Sequence, residues 1–230
     1  MKKPLIITGT DTDIGKTYCT LKIINLLKQE GLQVASMKPV ATGCTISSAG
    51  LRNHDALQLQ RAANIQLPYE WVNPYAFEPP IAPHIAANIV CQEIDIEHIY
   101  VNYLKVAQQA DIVVIEGIGG WCVPFNPLDS LKDLALYLGG QVILVVGLRL
   151  GCINHALLTA ERIQQDGLPL IGWIANHIDP QFTAQTTVLS LRERINAPLL
   201  ASIPYQAHAQ PAEAIMFSEL LMKTIHSVAL

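Results

Sequence analysis

At 230 residues, 50% of them hydrophobic and 15% charged, the chain can bury a full core and suits one α/β domain better than two small ones. Its net charge of −4, with no basic cluster, excludes an electrostatic footprint for nucleic acid, and no apolar run approaches membrane-spanning length. The five cysteines, at positions 19, 44, 91, 122 and 152, are odd in number and scattered, which predicts reduced thiols rather than a disulfide frame or a zinc site.

Met1-Lys2-Lys3-Pro4 enters the first strand without a signal-peptide core, so a cytoplasmic protein is expected. The low charged fraction predicts hidden surface, as in a homodimer. The apolar run Leu5-Ile6-Ile7 delivers Gly9-Thr10-Asp11-Thr12-Asp13-Ile14-Gly15-Lys16-Thr17 to the start of a helix. This reads as a phosphate cradle, in which glycines let the backbone approach and successive N–H groups point at the anion. Lys16 is placed on the terminal phosphates and the Thr17 hydroxyl on a magnesium ion. Five residues rather than the usual four separate Gly9 from Gly15; the bland alternative is a strand–turn–helix junction capped by Asp or Thr.

Residues 16–30 carry Cys19, Ile23 and Leu26 at helical spacing, and Gly31 closes the run. Gln33 to Val40 reads as extended, with Lys38 and Pro39 at its end. Carboxyl ends of parallel strands form the ligand crevice, so Lys38 is expected at the same opening as the loop. Residues 42–53 read as loop, and His54 to Ala63 as helix with Asp55 in its first turn. The prolines between Leu67 and His84 argue against a regular element, yet Trp71, Tyr75, Phe77 and Ile81 are too apolar for a linker, so a packed loop over a site is expected.

Ile94 to Ala110 returns to helical periodicity and feeds the strand Ile112–Ile115, which ends in Glu116-Gly117-Ile118-Gly119-Gly120. A helix around Leu131–Leu138, a strand Val142–Val146, a helix Cys152–Gln165 and a strand Leu170–Ala175 ending at Asn176 follow. A helix near Thr183–Ile195, a strand Leu199–Ile203 ending in Pro204 and a final amphipathic helix close the chain. Alternating strand and helix predict an α/β fold, a mostly parallel sheet flanked by helices on both faces, of P-loop NTPase type, with residues 1–230 as one domain.

Thr17, Asp55 and Glu116 supply the hard oxygens that magnesium takes; Asp55 suits equally well as a complement to its helix dipole. Lys38, at the tip of an apolar strand, must either snorkel to solvent or pair with an anion, and beside phosphates it would neutralise charge on a transferring group. Gly151-Cys152-Ile153-Asn154-His155 opens a helix whose free N–H groups suit a carboxylate, with Cys152 a packing thiol. No histidine lies at metal-ligand spacing from another, and His84, His98 and His226 read as structural or surface residues.

Together the long loop, Lys38-Pro39-Val40-Ala41-Thr42-Gly43, Arg52-Asn53-His54-Asp55, Val72-Asn73-Pro74-Tyr75, Pro83-His84-Ile85, Glu116-Gly117-Ile118-Gly119-Gly120-Trp121, Leu150-Gly151-Cys152-Ile153-Asn154-His155 and Gly172-Trp173-Ile174-Ala175-Asn176 resemble the dethiobiotin synthetases over almost the whole chain. The resemblance implies an ATP-dependent ligase acting on 7,8-diaminononanoate and CO2 or bicarbonate, with Mg2+ as cofactor. It implies Lys38, Lys16 and Thr12 as catalytic residues and Thr17, Asp55 and Glu116 as metal ligands. Nucleotide contacts are implied at Asp13, Ile14, Gly15, Lys16, Thr17 and Tyr18, at Asp55, Glu116, Gly117, Ile118 and Gly119, and at Asn176, His177, Pro204, Tyr205 and Glu213. Thr12, Lys38 and Thr42 would meet the diamine end, and Gly151, Cys152, Ile153 and Asn154 of a neighbouring subunit its carboxylate tail. The rival classes are a cobyrinate-type amidotransferase and a partition-type switch ATPase. Against the switch stand Asp11 and Asp13, where that class usually carries an extra lysine; against the amidotransferase stands the lack of a glutaminase-sized extension.

Overall fold

Leu5, Ile7 and Val114 pack against one face of the central sheet, and Ile6, Val113 and Ile115 against the other, as period-two alternation in strands buried on both sides requires. The computed structural model describes residues 3–205 and 216–217. In chain order the elements are β1 (Leu5–Gly9), α1 (Lys16–Gln29), β2 (Val34–Met37), β3 (Val40–Ala41), β4 (Thr45–Ser47), β5 (Gly50–Arg52), α2 (His54–Ala62), α3 (Tyr69–Val72), β6 (Tyr75–Ala76) and α4 (Pro83–Ile89). Then come α5 (Ile96–Ala107), β7 (Ile112–Glu116), α6 (Leu131–Leu138), β8 (Gln141–Leu148), α7 (Cys152–Gln165), β9 (Leu170–His177), α8 (Gln185–Arg194), β10 (Leu199–Ile203) and β11 (Met216–Phe217).

The main sheet runs β11-β10-β9-β8-β1-β7-β2, parallel throughout except for the antiparallel edge strand β11. Helix α1 covers one face through Cys19, Ile23, Ile24 and Leu27, which join Leu5, Ile7 and Val114 in one cluster. On the opposite face α5, α6 and α7 supply Ile99, Tyr103, Leu134, Ala156 and Ile163. The expected fold class is therefore found, and the ends of β1, β2 and β7 lie side by side at one edge. No helix among the described residues is long and apolar enough to cross a membrane.

Several local expectations are corrected. The proline-rich stretch does hold regular pieces, because Pro68 precedes α3 and Pro83 starts α4 at a position where a missing N–H costs nothing. Residues 42–53 contain the β4–β5 hairpin, whose exposed strand β4 carries no apolar alternation that would betray it. The segment read as one strand to Val40 breaks at Lys38-Pro39, and Val40–Ala41 pairs instead with β6. The final helix and Glu213 fall outside the described residues, except at Met216–Phe217, which form strand rather than helix; pairing with β10 satisfies that edge.

Candidate active site

The register of three neighbouring strands assembles the site. Met37 on β2 lies opposite Ile115 on β7, and Glu116 on β7 opposite Ile7 on β1. Glu116 also shares the parity of Ile112 and Val114, whose side chains point to the α1 face. The next residue along β2, Lys38, therefore arrives beside Glu116 just where α1 begins. Its Nζ lies 2.5 Å from Glu116 Oε1 and 3.1 Å from Asp55 Oδ2, while Thr17 Oγ1 donates to Glu116 Oε1 at 2.9 Å. Lys38 and Glu116 are buried, and Asp55 is half exposed.

Burial works to lower the Lys38 pKa, but the carboxylates of Glu116 and then Asp55 outweigh it and hold the ammonium above its usual value. Lys16 is moved the other way: burial, reinforced by the Lys38 charge, lowers it to about 8. Its Nζ donates to the Asp11 carbonyl at 2.6 Å, arching back over the loop. The Asp11 carboxylate receives the Thr12 N–H and pairs with Arg149 from the turn after β8.

The loop conformation depends on Gly15, which sits at φ +81° as the N-cap of α1, with no room for a Cβ because Asn176 Nδ2 would lie 2.2 Å from it. Asp13 adopts φ +55°, a left-handed conformation uncommon for a residue with a side chain. Helix α1 has neither a side-chain cap nor an acidic residue in its first turn, so its amino end and its positive dipole are available to an anion.

A cavity of about 790 Å³ lies above these groups. Of the expected site residues, Thr12, Asp13, Gly15, Lys16, Thr17, Lys38, Thr42, Asp55, Glu116, Ile118 and Gly119 line it. Ile14 and Gly117 are buried behind the wall, Ile14 under the loop. Asn176 is also buried, and its Nδ2 donates to the Ile14 carbonyl at 2.8 Å, so it props the loop from below. Tyr18, His177, Pro204 and Tyr205 are not among the lining residues; His177 approaches Ser202 Oγ at 3.3 Å, and burial lowers its pKa. Gly151, Cys152, Ile153 and Asn154 do not line this cavity either. Cys152 is buried, as a packing thiol should be, and Gly151, Ile153 and Asn154 are exposed.

Individual site residues that sequence reasoning missed are Asn53, Pro80, Ala82, Pro83 and Val123, all on the cavity wall. The density of prolines and apolar residues from Leu67 to His84 was the available signal, and it did point to a covering segment. Asn53 carried the usual signature of a helix N-cap, which its side chain is, accepting from the Ala56 N–H.

A family model described as an AAA domain matches residues 3–213. The chain is 48% identical over 208 residues to the ATP-dependent dethiobiotin synthetase BioD of Pseudomonas paraeruginosa, covering 90% of this chain and 91% of that protein. The chain belongs to the dethiobiotin synthetase family. The synthetase of the same name from Cellvibrio japonicus is 47% identical over 204 residues, with 88% and 90% covered, and that of Vibrio parahaemolyticus 45% over 208, with 90% and 91%. Dethiobiotin synthetases are ATP-dependent ligases that form a carbon–nitrogen bond, and neither rival class finds comparable support. Among solved structures, the septum site-determining protein MinD of Pyrococcus horikoshii, complexed with Mg-ADP, superposes with a TM-score of 0.55 at 17% identity, covering 100% of this chain and 99% of that one. The MinD cell division protein of Aquifex aeolicus does so at 0.55 and 16%, covering 89% and 83%. These two likenesses show the fold: a P-loop NTPase sheet with its flanking helices.

Proposed function

We propose that this dethiobiotin synthetase family member closes the ureido ring of dethiobiotin in the cytoplasm, from 7,8-diaminononanoate, CO2 and ATP. One amine attacks CO2 and loses a proton, leaving a carbamate; a carbamate oxygen attacks the γ-phosphorus and ADP departs. The second amine then attacks the carbamoyl carbon and phosphate leaves, closing the ring. The observation that carries the reading is the Lys38 ammonium, held charged at the cavity beside Lys16 and the open end of α1. Joining one anion to another requires such convergent positive charge in a site that excludes water.

Under this reading the roles are assigned as follows. Lys16 and the N–H groups of Gly15, Lys16 and Thr17 cradle the phosphates, with Asp13, Ile14 and Tyr18 shaping the loop around them. Lys38 faces the carbamate, and Thr12 and Thr42 orient the diamine. Gly117, Ile118 and Gly119 border the phosphate side; Asn176, His177, Pro204, Tyr205 and Glu213 are assigned to the base. Pro80, Ile81 and Pro83 supply apolar lining on the side of the cavity facing the acceptor.

The donor set fits magnesium. Thr17 Oγ1 donates to Glu116 Oε1, Asp55 is joined to Glu116 through the Lys38 ammonium, and among the described residues the buried Glu116 Oε2 has no hydrogen-bond partner. Among the described residues no group of three or more His, Cys, Asp or Glu gathers as a metal cage, which matches an ion that takes one or two protein carboxylates and leaves its remaining positions to phosphate and water. Thr17, Asp55 and Glu116 would hold it, and it would supply charge compensation on the phosphates.

Helix α7 begins at Cys152 with neither a side-chain cap nor an acidic first turn, beside the exposed side chains of Leu150 and Ile153. This supports a homodimer in which Gly151, Cys152, Ile153 and Asn154 receive the substrate carboxylate of the neighbouring subunit. The test is mass spectrometry of the purified protein with diamine, bicarbonate, magnesium and ATP. Dethiobiotin at the expected mass, dependent on all of them, supports the reading; ATP turnover indifferent to the diamine overturns it.

A further inference from the structure

Asn53, Tyr69 and Asn73 form one hydrogen-bonded chain beside the cavity, with Asn53 and Asn73 buried and Tyr69 half-buried, and its ends grip the backbone at Lys38, Thr42 and Tyr75. The Asn73 Nδ2 donates to the Lys38 carbonyl at 2.6 Å and to the Tyr75 carbonyl at 3.1 Å, and its Oδ1 receives the Tyr69 hydroxyl at 2.8 Å. That hydroxyl accepts the Asn53 N–H at 2.8 Å. The Asn53 Nδ2 in turn reaches the Thr42 carbonyl at 3.2 Å, and its Oδ1 caps the helix that carries Asp55. The Lys38 N–H is bonded to the Val72 carbonyl at 2.9 Å, so both backbone polar groups of Lys38 are held by residues 72–73.

Chemistry leaves this chain a single direction. The Asn53 N–H can only donate, so the one Tyr69 proton must go to Asn73. Because both partners of Nδ2 are carbonyls, the Asn73 amide has one orientation, which leaves its oxygen for Tyr69. With every donor and acceptor so assigned, the half-buried network has no equivalent second arrangement. The Arg52 guanidinium lies 4.2 Å from the Tyr69 ring centroid and covers its outer face.

We propose that Tyr69, through Asn53 and Asn73, is a positioning residue that sets the separation of Lys38, Thr42 and Asp55 across the reacting groups. This rests on the reading of Lys38 as the catalytic cation. None of the three network side chains donates to the phosphate loop, so their role is specific to the acceptor side of the reaction.

Tyr69→Phe removes only the junction oxygen. Its crystal structure is expected to show Lys38 Nζ and Asp55 Oδ2 moved apart from 3.1 Å to beyond about 4 Å. In steady-state assays kcat falls about tenfold or more while KM for ATP stays within about twofold. Tyr75→Phe is the control: its hydroxyl serves the Asp95 N–H, away from the site, so it removes a comparable hydrogen bond and leaves kcat unchanged. If Tyr69→Phe does not fold, Asn53→Ser carries the test, since serine still caps the helix but cannot reach Thr42; it should raise KM for the diamine and leave KM for ATP alone. An unchanged Lys38–Asp55 separation in the folded variant overturns the proposal, as does a kcat loss equalled by Tyr75→Phe. Absence of product from the wild-type enzyme overturns the functional reading instead, and the crystallographic separation then decides the network by itself.

Discussion

Lys38 and Glu116 meet at 2.5 Å across 78 positions of sequence, one at the end of β2 and the other at the end of β7. The pair is buried, and it carries the charge arrangement of the site.

Removing one member of a buried pair leaves the other without a counter-charge, so Lys38→Ala is expected to cost about 3–5 kcal/mol of stability in chelator, measured by urea unfolding. Added magnesium should recover part of that loss, because the unpartnered carboxylates then gain a cation. Dethiobiotin formation should fall at least ~100-fold. A variant as stable as wild type in chelator would contradict the pairing.

For Lys16, burial followed by the Lys38 charge lowers the folded value to about 8 from its usual 10.5. The folded state thus releases this proton first, and between about pH 8 and 10.5 the unfolded chain binds more protons. Stability from this group therefore rises across that window, and its full penalty is present below pH 8. Lys16→Met should abolish the rise and stabilise the protein at neutral pH by at most about 3 kcal/mol, less what the lost hydrogen bond to the Asp11 carbonyl contributed, while ATP binding weakens. Identical unfolding-versus-pH profiles for variant and wild type would contradict this.

Gly15→Ala meets two obstacles, a φ of +81° and Asn176 Nδ2 at 2.2 Å from the new methyl. A stability loss of about 1–3 kcal/mol and at least ~10-fold weaker ATP binding by calorimetry are expected. The double variant with Asn176→Ala relieves the contact but keeps the strained φ, so it should recover stability only in part.

Thiol labelling offers a test that is independent of activity. Cys91 and Cys122 are exposed, and Cys19, Cys44 and Cys152 are buried; burial and then Glu116 push the Cys19 thiol up to about 12. At pH 8 iodoacetamide should modify Cys91 and Cys122 in the folded protein and the others only after denaturation, as read by peptide mapping. Rapid labelling of Cys19 in the native state would show that the α1–β1 packing is wrong.

Much of the site was legible because its signals are local. The glycine spacing around Lys16 and the position of Lys38 and Glu116 just beyond apolar runs placed all of them at the carboxyl ends of strands. The hairpin at 45–52 was not legible, since exposed strands carry no hydrophobic period. Nor was the role of Asn73, whose amide contacts lie at Lys38, Tyr69 and Tyr75; an asparagine before proline reads from sequence as an ordinary turn residue.

The sequence by itself determined the alternating strands and helices of the main sheet, the phosphate loop and the family, because periodicity, glycine placement and motif order are properties of neighbouring residues. Only the tertiary structure decided that Lys38 bridges Glu116 and Asp55 and that Asn176 supports the loop through Ile14. Those pairings depend on the strand order β9-β8-β1-β7-β2 and its register, and a one-residue slip would turn Glu116 to the opposite face.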